Sequence, residues 1–83
     1  MNYFIASLLS HNLRFIFRTF EPVVSIVFYH ELTNTKTILS NVDCVLNDGY
    51  GVVDFDFEFK INSSYTLEVL GSELIYRGKA KAI

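Results

Sequence analysis

Residues 53–61 read Val53-Asp54-Phe55-Asp56-Phe57-Glu58-Phe59-Lys60-Ile61. Apolar and charged side chains alternate through the whole stretch. In a strand, successive side chains point to opposite faces, so this order puts three phenylalanines on one face and the charges on the other. A helix would scatter the same phenylalanines around its circumference. The stretch is a strand, and its surroundings are punctuated as strands are. Asn47-Asp48-Gly49-Tyr50-Gly51 precedes it and predicts a hairpin turn, because Gly accepts positive φ and Asn and Asp bond their own backbone. Asn62-Ser63-Ser64 closes it.

Working outward, Tyr65-Leu67-Val69 opens the next strand, and Gly71-Ser72 turns into a last one from Leu74 to about Ala82. Upstream, Thr35 to Leu46 places Ile38, Val42, Cys44 and Leu46 two or four residues apart. Val23 to Leu32 puts Val24, Ile26, Phe28 and Leu32 on one face, bounded by Glu21-Pro22 and Thr33-Asn34. Leu13, Phe15 and Phe17 alternate with polar neighbours and predict a strand from Leu13 to Phe20. Met1 to Ser10 fits a first strand or an arm that docks on a neighbour. Short strands every 8–12 residues with Gly/Asn/Asp/Ser turns are the pattern of an all-β sandwich or barrel of six or seven strands. The predicted organisation is an N-terminal strand or docking arm over 1–10 and a single domain over 11–83.

Composition sets the limits on function. The 83 residues make one small domain with a thin core. Hydrophobic residues are 51% of the chain and charged ones 19%, which excludes intrinsic disorder. Seven Lys+Arg against nine Asp+Glu give a net charge of −2, the wrong sign for a nucleic-acid-binding surface. Residues 1–41 carry three basic and two acidic groups (+1), and residues 42–83 four and seven (−3). The single cysteine, Cys44, leaves no internal disulfide, and no Cys/His cluster has zinc spacing. Arg14, Arg18, Glu21 and Pro22 interrupt the apolar first third, so no membrane span is expected. The Tyr3–Leu9 run has no preceding Lys or Arg, and synthesis in the cytoplasm is the expectation.

The chemistry-bearing residues point to no reaction. Asp54, Asp56 and Glu58 share one strand face, but alternate residues stand about 6.5–7 Å apart, too far for one ion without loop ligands. They read as a solvated face. His11 and His30 lack a G-x-S-x-G elbow or a ligand-spaced partner. Cys44 falls among apolar residues and reads as a small core hydrophobe. Arg77, Lys79 and Lys81 alternate on the last strand and read as the charges that keep an edge strand soluble. No catalytic residue, cofactor site or metal site is expected, and the chain is not expected to be an enzyme.

What does stand out is apolar surplus on faces that should be polar: Ile16 on its strand's polar side, and Val23, Val27 and Tyr29 opposite Ile26 and Phe28. A sandwich of this size has one interior, so a second apolar face is expected to meet a partner. The expected contact residues are Phe15, Ile16, Phe17, Val27 and Tyr29, with Tyr3, Phe4 and Ile5 as a docking arm. Aspartate at Val27 or Tyr29 should then block assembly and spare the fold.

Two segments resemble a known family. His11 to Phe20 (HNLRFIFRTF) is followed by Ser25 to Asn34 (SIVFYHELTN), and the chain ends with Tyr65 to Leu70 (YTLEVL) and Glu73 to Lys79 (ELIYRGK). This resembles a family of small β-sandwich proteins encoded by tailed bacteriophages and prophages of Bacteroidetes-type hosts. That family pairs a strand of alternating aromatics with an apolar strand ending in (F/Y)-x-(N/H)-(D/E)-(L/V)-T, here Phe28 to Thr33. The resemblance covers most of residues 11–80; the segment between Thr35 and Val52 is shorter than is usual there. It implies a small immunoglobulin-like β-sandwich of antiparallel strands acting as a virion structural protein, in a capsid, connector or tail assembly. The implied partners are other virion proteins and copies of itself, and the implied location is the virion. A reading from a different class is a free-standing module that binds a carbohydrate or host protein on an aromatic sheet, although the chain has no Trp.

Overall fold

The computed structural model describes all residues from Met1 to Ile83. Seven strands follow in order: β1 (Asn2–Phe4), β2 (Ser10–Phe15), β3 (Val23–His30), β4 (Thr35–Asn47), β5 (Tyr50–Asp56), β6 (Ser64–Leu70) and β7 (Leu74–Ala82). They form one sheet in the order β1-β7-β6-β3-β4-β5-β2. Every neighbouring pair is antiparallel except β1 and β7, which are parallel. The expectation of an all-antiparallel set is corrected on that point. The sheet curls until its ends nearly meet. Just past β2, the Arg18 N–H donates to the Ile75 carbonyl of β7 at 3.3 Å. The Phe15 and Tyr76 rings lie 5.3 Å apart across the same seam.

The hairpin turns follow their sequence chemistry. Asp48 (φ 51°) and Gly49 (φ 81°) form the two-residue loop between Asn47 and Tyr50, with both central residues at positive φ as a type I′ turn requires. Glycine has a packing role at Gly51, which faces Phe15 in register. A Cβ there would stand 2.8 Å from the Phe15 ring, so the ring covers the gap the glycine leaves.

A bulge shapes the molecule. Val24 pairs with Val42 and Ile26 with Leu39, so Ser40 and Asn41 together oppose Ser25, and Asn41 sits at φ 57°. Past the bulge β4 keeps two pairs with β3, at Val42 and Asp43, and then pairs with β5 over Cys44–Asn47 only. The bulge also switches which residues face inward: Leu39 before it, Val42 and Cys44 after it. The expected common face of Ile38, Val42, Cys44 and Leu46 is therefore broken, and Ile38 and Leu46 are exposed.

Three further boundaries differ from expectation. The ladder of the 53–61 stretch stops at Asp56; Phe57–Lys60 keep the alternation without strand pairing, and Ile61 turns out to solvent. β2 ends at Phe15, short of Phe20, because the chain crosses the seam there toward β7. β7 is an edge strand only over Leu74–Lys79, which includes Arg77 and Lys79, since β1 pairs along Ala80–Ala82. The core is one cluster in which Phe55 and Phe59 join Phe4, Phe28, Tyr65 and the aliphatic residues of β3 and β6. Phe28 stacks on Phe57 at 4.0 Å and Phe4 on Phe59 at 4.8 Å.

Candidate interaction surfaces

The expected contact residues divide. Tyr3, Ile5 and Ile16 are 62%, 50% and 73% exposed, and Phe17 and Tyr29 are half-buried. Phe4, Phe15 and Val27 are only 5%, 3% and 1% exposed, so they are core residues of the chain and cannot serve as surface contacts. Phe4 points inward because alternation along β1 sends Tyr3 and Ile5 out. Phe15 turns in over Gly51. Val27 lies on the outer side of β3 but is enclosed between its register partners Ile38 and Glu68. The expectation that Val27→Asp would spare the fold is corrected with it.

The N-terminal arm is a strand of this chain's own sheet. Ala6 N–H donates to the Ile83 carbonyl and Ile83 N–H to the Phe4 carbonyl, each at 2.8 Å. These bonds set Ile83 beside Ile5, so Tyr3, Ile5 and Ile83 form an exposed apolar rim on β1. Leu8 and Leu9 are exposed just beyond. β1 has a neighbour on one edge only, leaving a row of backbone donors and acceptors on the other.

A second surface is a slot inside the sheet. Beyond Cys44–Val53, β4 and the 54–60 stretch diverge, and no backbone hydrogen bond joins residues 35–43 to residues 54–60. At the bulge end the slot is a groove of about 650 Å³ lined by Ser40, Asn41, Asp43, Asp54 and Asp56 among others. At the far end it is a cavity of about 240 Å³, floored by Phe28, Phe57 and Tyr65 and walled by Thr35, Thr37 and His30. His30 is buried. Its Nδ1 is 2.6 Å from Thr33 Oγ1, and its Nε2 is buried with no partner. Nothing in the sequence pattern marks this slot, because alternation reports which way side chains face and not which strand edges are paired.

The other chemistry-bearing groups are engaged structurally. Asp54 accepts from Asn12 Nδ2 and Asp56 from the Ser10 hydroxyl, each at 2.8 Å across β2–β5. No three His, Cys, Asp or Glu side chains are grouped to hold a metal. His11 Nε2 lies 3.0 Å from the Phe57 carbonyl, which can only accept, so Nε2 carries the proton. Burial pushes the Cys44 thiol above its ordinary pKa, partly offset by a backbone hydrogen bond from Val52, so the thiolate is suppressed. Of the β7 bases, Arg77 pairs with Glu68 at 3.6 Å and Lys79 with Glu31 at 2.8 Å. Arg14 lies over the Tyr50 ring at 4.5 Å. None of these was foreseen as a pair, since each joins residues distant in sequence.

The chain is thus an all-β protein, a nearly closed seven-stranded sheet with a free apolar edge and an internal slot. No protein-family model, curated protein or solved structure matches it.

Proposed function

We propose that this chain is a non-catalytic assembly protein, and specifically a structural component of a bacteriophage particle. The observation that carries the assembly reading is the β1 rim: an open strand edge whose outward residues, Tyr3 and Ile5, are apolar and exposed beside Ile83. Such an edge adds a strand or an apolar face from a neighbour, and a monomer normally protects it with charge. The narrower virion reading, with its immunoglobulin-like sandwich, rests on the resemblance of residues 11–80 to the phage family. On that reading β1-β7-β6-β3 and β5-β2 are the two layers, joined through β4 at its bulge. Copies of the chain and other virion proteins are the partners, and the chain is made in the bacterial cytoplasm and ends in the virion.

The test is peptide mass spectrometry on gradient-purified particles, with copy number scaled to the major capsid protein. Stoichiometric presence is expected, and the ratio distinguishes a capsid lattice from a connector or tail. Absence from intact particles with abundance in the lysate would overturn the virion reading and leave the free-standing binding module. Replacing Tyr3 and Ile5 with Asp should abolish incorporation and leave the fold intact, because both side chains are already in water.

A further inference from the structure

The slot between β4 and residues 54–60 has three properties that no part of the assembly reading uses. The first is backbone. β4 pairs with β3 from Asp43 to Thr35, yet its opposite edge meets no strand over the same residues. Nine residues of strand span about 30 Å, and an unpaired edge leaves alternate N–H and C=O groups pointing outward along it. Edge strands in small sheets are usually short; this one is long and lies in a groove.

The second property is the cavity at the slot's lower end. Its floor is aromatic, and His30 in its wall is 7% exposed with Nε2 unbonded. A buried polar atom without a partner is costly, whereas the same atom bonded to an incoming group is not. At about 240 Å³ the cavity is small for a whole metabolite but suits one aromatic side chain. An aromatic ring matches the floor, and a hydroxyl on it gives His30 Nε2 the partner it lacks once the wall shifts to admit it, since in the unbound chain that atom is out of reach of solvent.

The third property is charge. Four carboxylates border the slot (Asp43, Asp54, Asp56 and Glu58) against one amine, Lys60. A partner with outward-facing lysine or arginine is favoured there. A sugar would use the cavity but not the strand edge, and a metal would use the carboxylates but not the cavity. Only an extended peptide uses all three.

We infer that the slot is a peptide-binding site: an extended, cationic segment of a partner protein pairs with the free edge of β4 and places a tyrosine in the cavity beside His30. Main-chain hydrogen bonds supply the affinity and the tyrosine pocket sets the register, as in other strand-addition recognition. The inference is independent of the β1 rim, since it requires neither self-association nor a particle.

The experiment uses the monomeric full chain and a capped heptapeptide alternating lysine and valine around a central tyrosine (KVKYKVK). Titration by NMR, with amide hydrogen exchange, should protect the slot-facing amides of Thr35–Asp43 about tenfold and leave those of β1 unchanged. Replacing the peptide's tyrosine with phenylalanine should weaken binding about three- to tenfold, the worth of one neutral hydrogen bond. That preference should vanish in His30→Phe; the probe-side comparison stands even if this variant does not fold. N-methylating alternate peptide residues in one of the two phases should abolish binding. Four outcomes would each overturn the site: no binding at millimolar peptide, equal binding of both N-methylated versions, protection confined to β1, or a monosaccharide occupying the cavity while the peptide does not bind.

Discussion

The two sides of β3 contrast sharply in how their strands are held. On one side, β3, β6 and β7 stay paired along their length: Ser25–His30 with Tyr65–Leu70, then Ser64–Leu70 with Leu74–Lys81, with one irregularity at Ile75 near the end of β6. Their inward residues Ile26, Leu67, Val69, Ala80 and Ala82 are buried. On the other side, β4 leaves β5 after Cys44 and the sheet opens. The open side nevertheless contains the most regular alternation in the chain, residues 53–59. Regular alternation guarantees a buried face, and it says nothing of whether either edge has a partner. In a sheet this small the interior can be complete while the ladder is not, and the unpaired stretch is where another chain can enter.

The largest expected effect tests whether burial on the paired side extends to its outer face. Val27 and Ile38 are register partners on that face, yet Val27 is enclosed and Ile38 is exposed. Val27→Asp buries a carboxylate with no partner and should cost about 3–5 kcal/mol, enough to unfold a domain of this size. Ile38→Asp, one strand away, should cost under about 1 kcal/mol. Urea denaturation followed by circular dichroism compares them. Similar losses would mean that the two flanks of β3 are not different in kind.

That contrast also explains what could be read in advance. Alternation gives the inward Val24, Ile26 and Phe28 of β3 and the Tyr65, Leu67 and Val69 of β6, but not Leu32, which lies past the strand in the turn and is exposed; the Asp48-Gly49 turn follows from its residue types. The face of β4 does not, because one bulge residue reverses the alternation, and nothing in Ser40-Asn41 distinguishes a bulge from an ordinary polar pair until Ser25 is opposite them. The contact residues fail in the same way. Val27 belongs to the surplus expected on a second face, yet a curled sheet encloses it between its neighbours; Phe15, expected as a contact, lies on the inner face and fills the space over Gly51. The slot, and His30 with its unbonded nitrogen, depend on which edges meet, and that is a property of topology.

A change at the bulge should have an intermediate effect and would sharpen the comparison. Asn41 holds positive φ, which Asn tolerates and a β-branched residue does not. Asn41→Val should destabilise by about 1–2 kcal/mol, and Asn41→Gly should be near neutral. The valine variant should also shift amide resonances on both walls of the slot, if the bulge is what sends β4 away from residues 54–60. Resonance changes confined to Asn41 and its neighbours would mean that the opening has another origin.

The smallest effect lies on the paired side. Glu31 accepts from Lys79 Nζ at 2.8 Å and from the Thr66 hydroxyl at 3.3 Å, tying the β3–β4 turn to β6 and β7. The Lys79 hydrogen bond holds the Glu31 carboxyl below its ordinary 4.5, with desolvation opposing. A depressed carboxyl pKa stabilises the fold above the unfolded value, and that contribution is lost as pH falls from about 4.5 through the folded value. The pair is exposed and screened, so only a slight shift of the acid limb is expected. Glu31→Gln should remove that shift, leaving stability nearly independent of Lys79, and high salt should remove it in the native chain as well. A double-mutant cycle with Lys79→Met, read between pH 3 and pH 6, measures it. Coupling that does not change across that range would show that the turn is held by something other than this charge.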